Sequence, residues 1–532
     1  MTGITQVLVV GAGPVGLTAA HELARRGVRV RLIDAASGPA TTSRATSLHA
    51  RTLETFDQMG MVEELLARGL RVEAFTLYQN GRRLARLGTS YAPNPTRYPF
   101  TLAIQQVTTE EVLRTALEKH GVVAEWGVRL AELRQDGSQV HAELHHADGT
   151  VETVRTPWLV GCDGGHSTVR RQLGIPLVGD ANETWMLADA EVSVDLPRDS
   201  LYLVRQQGHN ILMVPLPGER RWRLIDTRDV AYDGDNGALR QRLAGKLSAG
   251  LGQPRVRVGE PEWVSVFTAQ QRMVNQMRVE RCFVAGDAAH VHSPASGQGL
   301  NTGIQEAFNL GWKLAMVVHG RADAALLDTY SLERVPVGAA LLDSTKNAAR
   351  LVALRNAVAG ATQPLFFALV RAITPLRVKI QEQILGKISA LNVAYPDSPL
   401  TAAGTGSGNG ARPRPGERVA RVMPAGCGAD GWRMLLDELR DPRWSLLAGP
   451  ELAGAAELAA AGRGTAGWLS VRVADERADP GGVLRADLGL EGAGWLLIRP
   501  DGYLAARGGS FTFPAFAAAL EPVALTGQVA AG

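Results

Sequence analysis

Cysteine is scarce in this chain, with three residues in 532. Cys162, Cys282 and Cys427 stand too far apart for a Cys-x-x-Cys pair or a zinc-ligand spacing. That excludes a disulfide scaffold, and Cys162 and Cys282, beside short apolar runs, read as buried thiols. Lysine is rare too, at six of the 56 basic residues. An excess of one charge is missing: 56 Lys and Arg face 53 Asp and Glu, for a net charge of +3. So small an imbalance gives no bulk attraction to nucleic acid or to a membrane surface. No apolar run reaches the ~18 residues of a membrane-spanning helix. The first residues, Met-Thr-Gly-Ile-Thr-Gln-Val, lack the basic start and long apolar stretch of a secretory signal. What the chain has is length, enough for three to four domains at ~150 residues each. Its 45% apolar and 20% charged content is ordinary for a globular protein. The expectation is a reduced, cytoplasmic, multidomain enzyme without nucleic-acid, membrane or metal partners.

The opening segment carries the first motif. Residues 7–10, Val-Leu-Val-Val, read as a buried strand too short for a helix. They run into Gly11-Ala-Gly13-Pro14-Val15-Gly16, and Leu17, Ala20, Leu23 and Ala24 then recur at helical spacing. Gly27 ends the helix, Val28–Ile33 reads as a second strand, and Asp34 closes it. Each glycine has a task in a dinucleotide fold. Gly11 allows the tight turn, Gly13 lets a pyrophosphate approach the backbone, and Gly16 lets helix and strand pack closely. The helix N-terminus offers N–H groups and a positive dipole to phosphate. Asp34, 23 residues after Gly11, can hold ribose hydroxyls. The motif alone does not separate FAD from NAD.

Two later segments repeat the strand-to-turn pattern. Residues 158–174 run Trp-Leu-Val-Gly-Cys-Asp163-Gly-Gly-His166-Ser167-Thr-Val-Arg-Arg-Gln-Leu-Gly, in which Ser167 can cap a short basic helix. Residues 282–314 run from Cys-Phe-Val-Ala-Gly286-Asp287 through His290, His292 and Pro294 to Gly297-Gln-Gly299-Leu300-Asn301, then a long helix. A glycine-rich loop at a helix N-terminus suits a flat ring that gains negative charge on reduction. His290 and His292, two apart with no partner cluster, read as supports of that loop and not as metal ligands.

Taken in order, these three motifs resemble the single-component flavin monooxygenases related to 4-hydroxybenzoate hydroxylase and phenol hydroxylase. The branch it looks closest to tailors aromatic polyketides. Asp328-Thr-Tyr-Ser-Leu-Glu333-Arg-Val-Pro336 also matches that family's stretch after the long helix. The resemblance spans residues 5–345, with a weaker echo to the end. It implies an α/β fold: a Rossmann-like (GR2-type) FAD-binding domain, an interleaved antiparallel-sheet substrate domain and a thioredoxin-like C-terminal domain. The implied division is 1–75, 105–180 and 270–345 for FAD; 76–104 and 181–269 for the substrate sheet; 346–397 helical; 398–416 linker; 417–532 thioredoxin-like. The last has no Cys-x-x-Cys, so a structural or dimer role is expected of it.

The resemblance also assigns roles. The turn Gly11, Gly13, Pro14, Val15 and Gly16 would hold the FAD pyrophosphate, and Asp34 the adenosine ribose. Arg44 would contact the pyrophosphate and ribityl chain, and Gln106 the ribityl or adenine side. Asp163 would lie near the adenine half, in a motif also linked to NADPH. Asp287 would bind the ribityl hydroxyls, and Pro294, Gly297, Gly299, Leu300 and Asn301 would wrap the isoalloxazine. Three positions depart from the pattern. Asp34 stands where Glu is commoner, Ala295-Ser296 replaces a Gly-rich pair, and His166 stands where Ala-Arg is frequent.

The implied reaction uses NADPH or NADH and O₂. A flavin C4a-hydroperoxide would transfer oxygen to an electron-rich, phenolic or polyketide-derived ring. The same adduct could instead insert oxygen beside a ketone, or the fold could serve a non-catalytic flavin- or ligand-binding protein. Residues 185–226 read as strands of the substrate sheet. Arg205, His209, Leu212, Met213 and Pro215 are placed near the substrate, with His209 the one candidate base. The plainer reading leaves Leu212 and Met213 as core, and Arg205 and His209 as solvated surface. A monomer or a homodimer fits equally.

Overall fold

Val7–Val10 is apolar and buried at every position and forms the middle of a six-stranded sheet. Trp158–Gly161 and Val30–Asp34 flank it, both parallel, with Val7 opposite Trp158 on one side and Val30 on the other. Ala124–Trp126 and Cys282–Val284 extend the parallel sheet, and Arg278–Val279 adds an antiparallel edge. Strands buried on both faces need such unbroken apolar runs. The structure, a computed structural model, describes residues 5–88, 94–206, 208–292, 297–353, 388–402, 413–465 and 467–523. Most of the expected helical stretch 346–397, the glycine-rich centre of the 398–416 linker, and Pro294 lie outside those residues. Among the described residues, no helix is long and apolar enough to cross a membrane.

Helix Pro14–Ala24 packs against helices Gly299–Val318 and Gln106–Glu118. A glycine makes one of these contacts possible. A Cβ on Gly311 would stand 2.6 Å from Cβ of Glu22. The strands of this sheet come from three separated stretches of chain: 7–34, 124–161 and 278–284.

An eight-stranded sheet is interleaved with the first. Its order is His290–Val291, Arg257–Met273, Val178–Ser193, Arg221–Asp226, His209–Pro215, Ser200–Gln206, Ala74–Gln79, Arg82–Gly88. Every pairing is antiparallel except that of Ser200–Gln206 with Ala74–Gln79. Period-two alternation divides the sheet into two faces. On one, Met186, Ala188, Tyr202, Val204, Ile211, Met213, Trp222 and Leu224 pack under helix Asn236–Leu251. That helix supplies Leu239, Leu243, Leu247 and Leu251, one apolar stripe, and Asp235 caps its start by accepting the Ala238 N–H at 3.0 Å. On the other face, Trp185, Leu187 and Ile225 cluster with Leu212, Trp263 and Phe267.

Residues beyond 413 build a four-stranded sheet in the order Leu469–Val473, Trp444–Ala448, Trp495–Ile498, Leu504–Gly508. Its first pair is parallel and the other two antiparallel. Helices Asp430–Glu438, Ala456–Gly464, Val483–Leu488 and Phe513–Leu520 accompany it. Trp312 and Met316 of helix Gly299–Val318 belong to the same apolar cluster as this sheet, so the C-terminal unit packs directly on the helix that follows the glycine-rich loop.

Candidate functional site: a glycine-lined cofactor cradle beneath an aromatic wall

The first turn has the geometry its glycines foretell. Gly11 has φ +102°, and a Cβ there would stand 2.3 Å from the Cys162 carbonyl oxygen. A Cβ on Gly16 would stand 1.8 Å from the Gly11 oxygen. Gly13 differs, because a Cβ there would meet nothing within 4 Å. It faces open space at the start of helix Pro14–Ala24, which has no side-chain cap. Uncapped N–H groups facing a gap fit a pyrophosphate. Val15 turns the other way. It fills the space left by Gly286 and Gly303, where added Cβ atoms would come within 2.8 and 2.6 Å of its Cγ2. Val15 thereby locks this turn to the one that carries Asp287.

Asp34 ends its strand beside this turn. Its Oδ2 accepts the Ala12 N–H at 2.7 Å and its Oδ1 the Ala36 N–H at 2.8 Å. Asp287 sits on the short 3-10 turn Gly286–Ala288. Its side chain is open to water although protein atoms crowd around it. Desolvation raises its carboxyl pKa, and His290 and Arg44 pull against that rise. The fold thus brings Arg44, 243 positions away in sequence, into electrostatic range of Asp287. Gln106 holds the Arg44 loop. Its Oε1 accepts the Ala45 N–H at 3.2 Å, and its own N–H donates to the Ala45 oxygen at 3.0 Å.

Asn301 lies in the first turn of helix Gly299–Val318 and is 2% exposed. Its side chain is fully used. Oδ1 accepts the His49 N–H at 2.8 Å, and Nδ2 donates to Ser47 O at 2.9 Å and Gly297 O at 2.8 Å. What Asn301, Leu300 and Gly299 can still offer is backbone N–H at a helix start. Glu306, on the same helix, accepts the Gly286 N–H at 2.9 Å and meets His290 Nε2 at 2.7 Å. Burial disfavours a charge on His290, but the Glu306 carboxylate overrides it and raises the imidazole pKa. His290 stacks on His292 at 5.9 Å, and His292 lies under Gly299. His290 thus ties its strand to helix Gly299–Val318, and His292 packs against the start of that helix.

Asp163 has a structural occupation. Its carboxylate accepts from the Ser167 hydroxyl and from the Thr168 and Val169 N–H groups, which caps helix Thr168–Gln172. Its backbone adjoins Gly11. Cys162 and Cys282 are thiols whose pKa burial pushes up, Cys282 to about 12.

The residues expected near substrate separate by strand parity. Leu212 faces the aromatic cluster. Met213 points to the opposite face and is core beneath helix Asn236–Leu251, and Pro215 shares its parity. Arg205 bonds Asn210 Oδ1 at 3.0 Å. His209 stands at the hairpin turn, half-exposed, with Nδ1 3.0 Å from Asp229 Oδ2. Sequence reading missed the face itself. Trp185 lies opposite Phe267, and Leu187 opposite Ile225, which in turn lies opposite Leu212. A third row, Trp263, Asp189 and Arg223, crosses three adjacent strands. The signal was available: Trp185, Leu187 and Asp189 recur every second residue.

A turn open at Gly13, an uncapped helix start, a closely surrounded Asp287 and a glycine-rich loop define a nucleotide-cofactor cradle of the FAD type. The comparisons agree. Residues 4–345 match the FAD-binding domain family. The chain is 53% identical over 508 residues to 6-methylpretetramide 4-monooxygenase of Streptomyces rimosus, covering 94% of this chain and 90% of that protein. It is 33% identical to pentachlorophenol 4-monooxygenase of Sphingobium chlorophenolicum, covering 94% of each. Among solved structures, the anhydrotetracycline hydroxylase OxyS of Streptomyces rimosus superposes with TM-score 0.75 at 28% identity, over 97% of this chain and 98% of that one. The flavin-dependent monooxygenase PieE, solved with FAD and substrate, reaches TM-score 0.78 at 25% identity, over 96% of each. The chain belongs to the FAD-dependent aromatic monooxygenases, and within them it is similar to enzymes that tailor polyketides.

Proposed function

We propose that this enzyme hydroxylates one ring of a neutral, polycyclic, phenolic polyketide of the pretetramide type, drawing electrons from NADPH or NADH in the cytoplasm. The observation that carries this reading is the 53% identity with 6-methylpretetramide 4-monooxygenase, which extends over both sheets and the C-terminal unit. Ring–H, O₂, NAD(P)H and a proton give ring–OH, water and NAD(P)⁺. FAD held in the cradle would supply the redox chemistry that links the nicotinamide, O₂ and the ring.

The chain's own residues bind, orient and exclude water. Gly11, Gly13 and Gly16 admit the pyrophosphate to the start of helix Pro14–Ala24, and Asp34 receives the ribose. Arg44 and Asp287 face the middle of the cofactor. The N–H groups of Gly299, Leu300 and Asn301 meet the negative charge of the reduced ring. Gln106 acts by holding the Arg44 loop, and Asp163 by holding the turn next to Gly11. Leu212, Trp263 and Phe267, half-buried and backed by the buried Trp185, Leu187 and Ile225, form a wall suited to flat apolar rings. The substrate sheet is assigned the strands between 74 and 88 and between 178 and 273, wider than the expected 181–269; residues 98–104, expected in it as part of 76–104, pack in the core of the FAD domain, which otherwise keeps 1–75, 105–180 and 270–345. The C-terminal unit is thioredoxin-like without a dithiol. Its mixed four-stranded sheet supports that reading, and its task is to brace the FAD domain.

Purified yellow protein is incubated with NADPH and a panel of tetracyclic phenols under ¹⁸O₂. The expected product gains one ¹⁸O atom on an aromatic carbon. A lactone product, or a bound flavin that neither pyridine nucleotide reduces, overturns this function.

A further inference from the structure

Arg223 is 1% exposed and makes five contacts, each with a separate purpose. Its Nε and one terminal nitrogen donate to the two oxygens of Asp189, both at 2.7 Å. The other terminal nitrogen donates to the Arg44 carbonyl at 2.6 Å, and the first also donates to the Ser43 carbonyl at 2.6 Å. The guanidinium lies over the Trp263 ring, 5.1 Å from its centre. Asp189 and Arg223 face each other across neighbouring strands, so the bidentate geometry is set by the sheet and not by flexible side chains. Two desolvated charges satisfied this fully are expensive to build, and hydrophobic residues would stabilise the fold as well. Stability alone does not account for them.

The backbone that Arg223 holds does. Ser43 and Arg44 belong to no helix or strand. The loop is fixed from one side by helix Gln106–Glu118, through Gln106 and through the Val107 N–H on Ser43 Oγ at 3.2 Å. From the other side it is fixed by Arg223. We infer that Arg223, oriented by Asp189 and Trp263, is a positioning residue that ties the substrate-facing sheet to the FAD cradle by presenting Arg44. Its guanidinium is buried against protein groups, so it acts on the cofactor through Arg44. It fixes the backbone from which the exposed Arg44 side chain starts, so less ordering is left for FAD binding to supply. The inference rests on the assignment of Arg44 to the cradle.

The test is FAD affinity, read by quenching of FAD fluorescence on titration with apoprotein. The double substitution Arg223→Leu with Asp189→Leu removes both charges together, so no unpaired charge is left buried. It is expected to weaken FAD binding roughly tenfold. In an Arg44→Ala background the same double substitution is expected to change affinity by less than about twofold, because both act through one side chain. Unchanged affinity in the parent background overturns the inference. So does a full additional loss in the Arg44→Ala background, which marks a general structural role. Arg44→Ala alone separates the two assignments: if it leaves FAD affinity intact, the cradle role of Arg44 fails. Should the double variant not fold, Arg223→Lys decides. Its single ammonium can pair with Asp189 but cannot also span both carbonyls. Affinity should fall while apoprotein melting stays within roughly 2 °C of the parent. Parent affinity in that variant overturns the inference.

Discussion

At the cofactor cradle the chain presents backbone; at the seam with the C-terminal unit it presents buried charge. The seam is centred on Glu333, 3% exposed. Its Oε1 accepts from Arg499 at 2.6 Å and from the Ser398 hydroxyl at 2.6 Å. Its Oε2 accepts from Lys313 at 2.8 Å, Asn309 at 2.7 Å and Arg499 at 2.9 Å. Asp501 completes the group by binding Arg499 and Trp312. Burial lowers the Lys313 pKa to about 8, and the Glu333 carboxylate opposes that fall. Helix Gly299–Val318 is common to both regions. Its first turn serves the cradle, and its middle turns, through Asn309, Trp312 and Lys313, serve the seam. The contrast is one of tolerance. A cradle made of N–H groups and missing side chains is damaged by adding atoms. A seam made of paired charges is damaged by removing one.

The largest expected effect follows from the seam. Glu333→Leu leaves Lys313 and Arg499 facing each other without their common anion, and should cost about 3–5 kcal/mol in urea unfolding. A loss below about 1 kcal/mol would show that water enters and the seam is not dry. At the cradle, Gly13→Glu should yield colourless protein, with FAD affinity down about a hundredfold or more from charge repulsion at the phosphates. Because a Cβ at Gly13 meets open space, the apoprotein should melt where the parent apoprotein does. Gly16→Ala is its counterpart. The 1.8 Å approach to Gly11 O forces the turn apart, so stability and FAD should both be lost, by about 1–3 kcal/mol in unfolding.

Acid should separate the two regions next. Burial alone would raise the Glu333 pKa, but Arg499 and Lys313 hold it far below its ordinary 4.5. A depressed folded pKa contributes stability that is present above the unfolded value and lost as pH falls below it. Urea midpoints should therefore decline below about pH 4.5. The Glu333→Leu protein should show a shallower decline, and an equal slope in both proteins would locate the acid sensitivity elsewhere. The smallest effect is expected at His209. Its contact with Asp229 is half-exposed, so His209→Ala should change stability by less than about 1 kcal/mol. The same variant should leave the coupling of NADPH use to hydroxylation intact, and a marked uncoupling would restore His209 to the site.

Legibility followed the range of the physics. The cradle could be read because each of its parts is local. A four-residue apolar strand, three glycines at fixed spacing and a helix start lie within 25 residues. The faces of the eight-stranded sheet were half legible. Leu212 and Met213 are both expected near the substrate from sequence, yet neighbouring strand residues point to opposite faces, and the packing of helix Asn236–Leu251 takes Met213 inward. Nothing local in Pro500-Asp501-Gly502 announces that Asp501 anchors Trp312, 189 residues away.

The sequence by itself determined a dinucleotide-type cradle and the order of its elements, because backbone geometry and apolar periodicity are encoded over a few residues, and its resemblance to the flavin monooxygenases pointed to FAD. Only the tertiary structure decided which sheet face turns toward the Arg44 loop, that Arg223 holds that loop, and that the C-terminal unit closes on Glu333. Those are contacts between residues tens to hundreds of positions apart. Burial makes them strong, and burial is a property of the assembled fold.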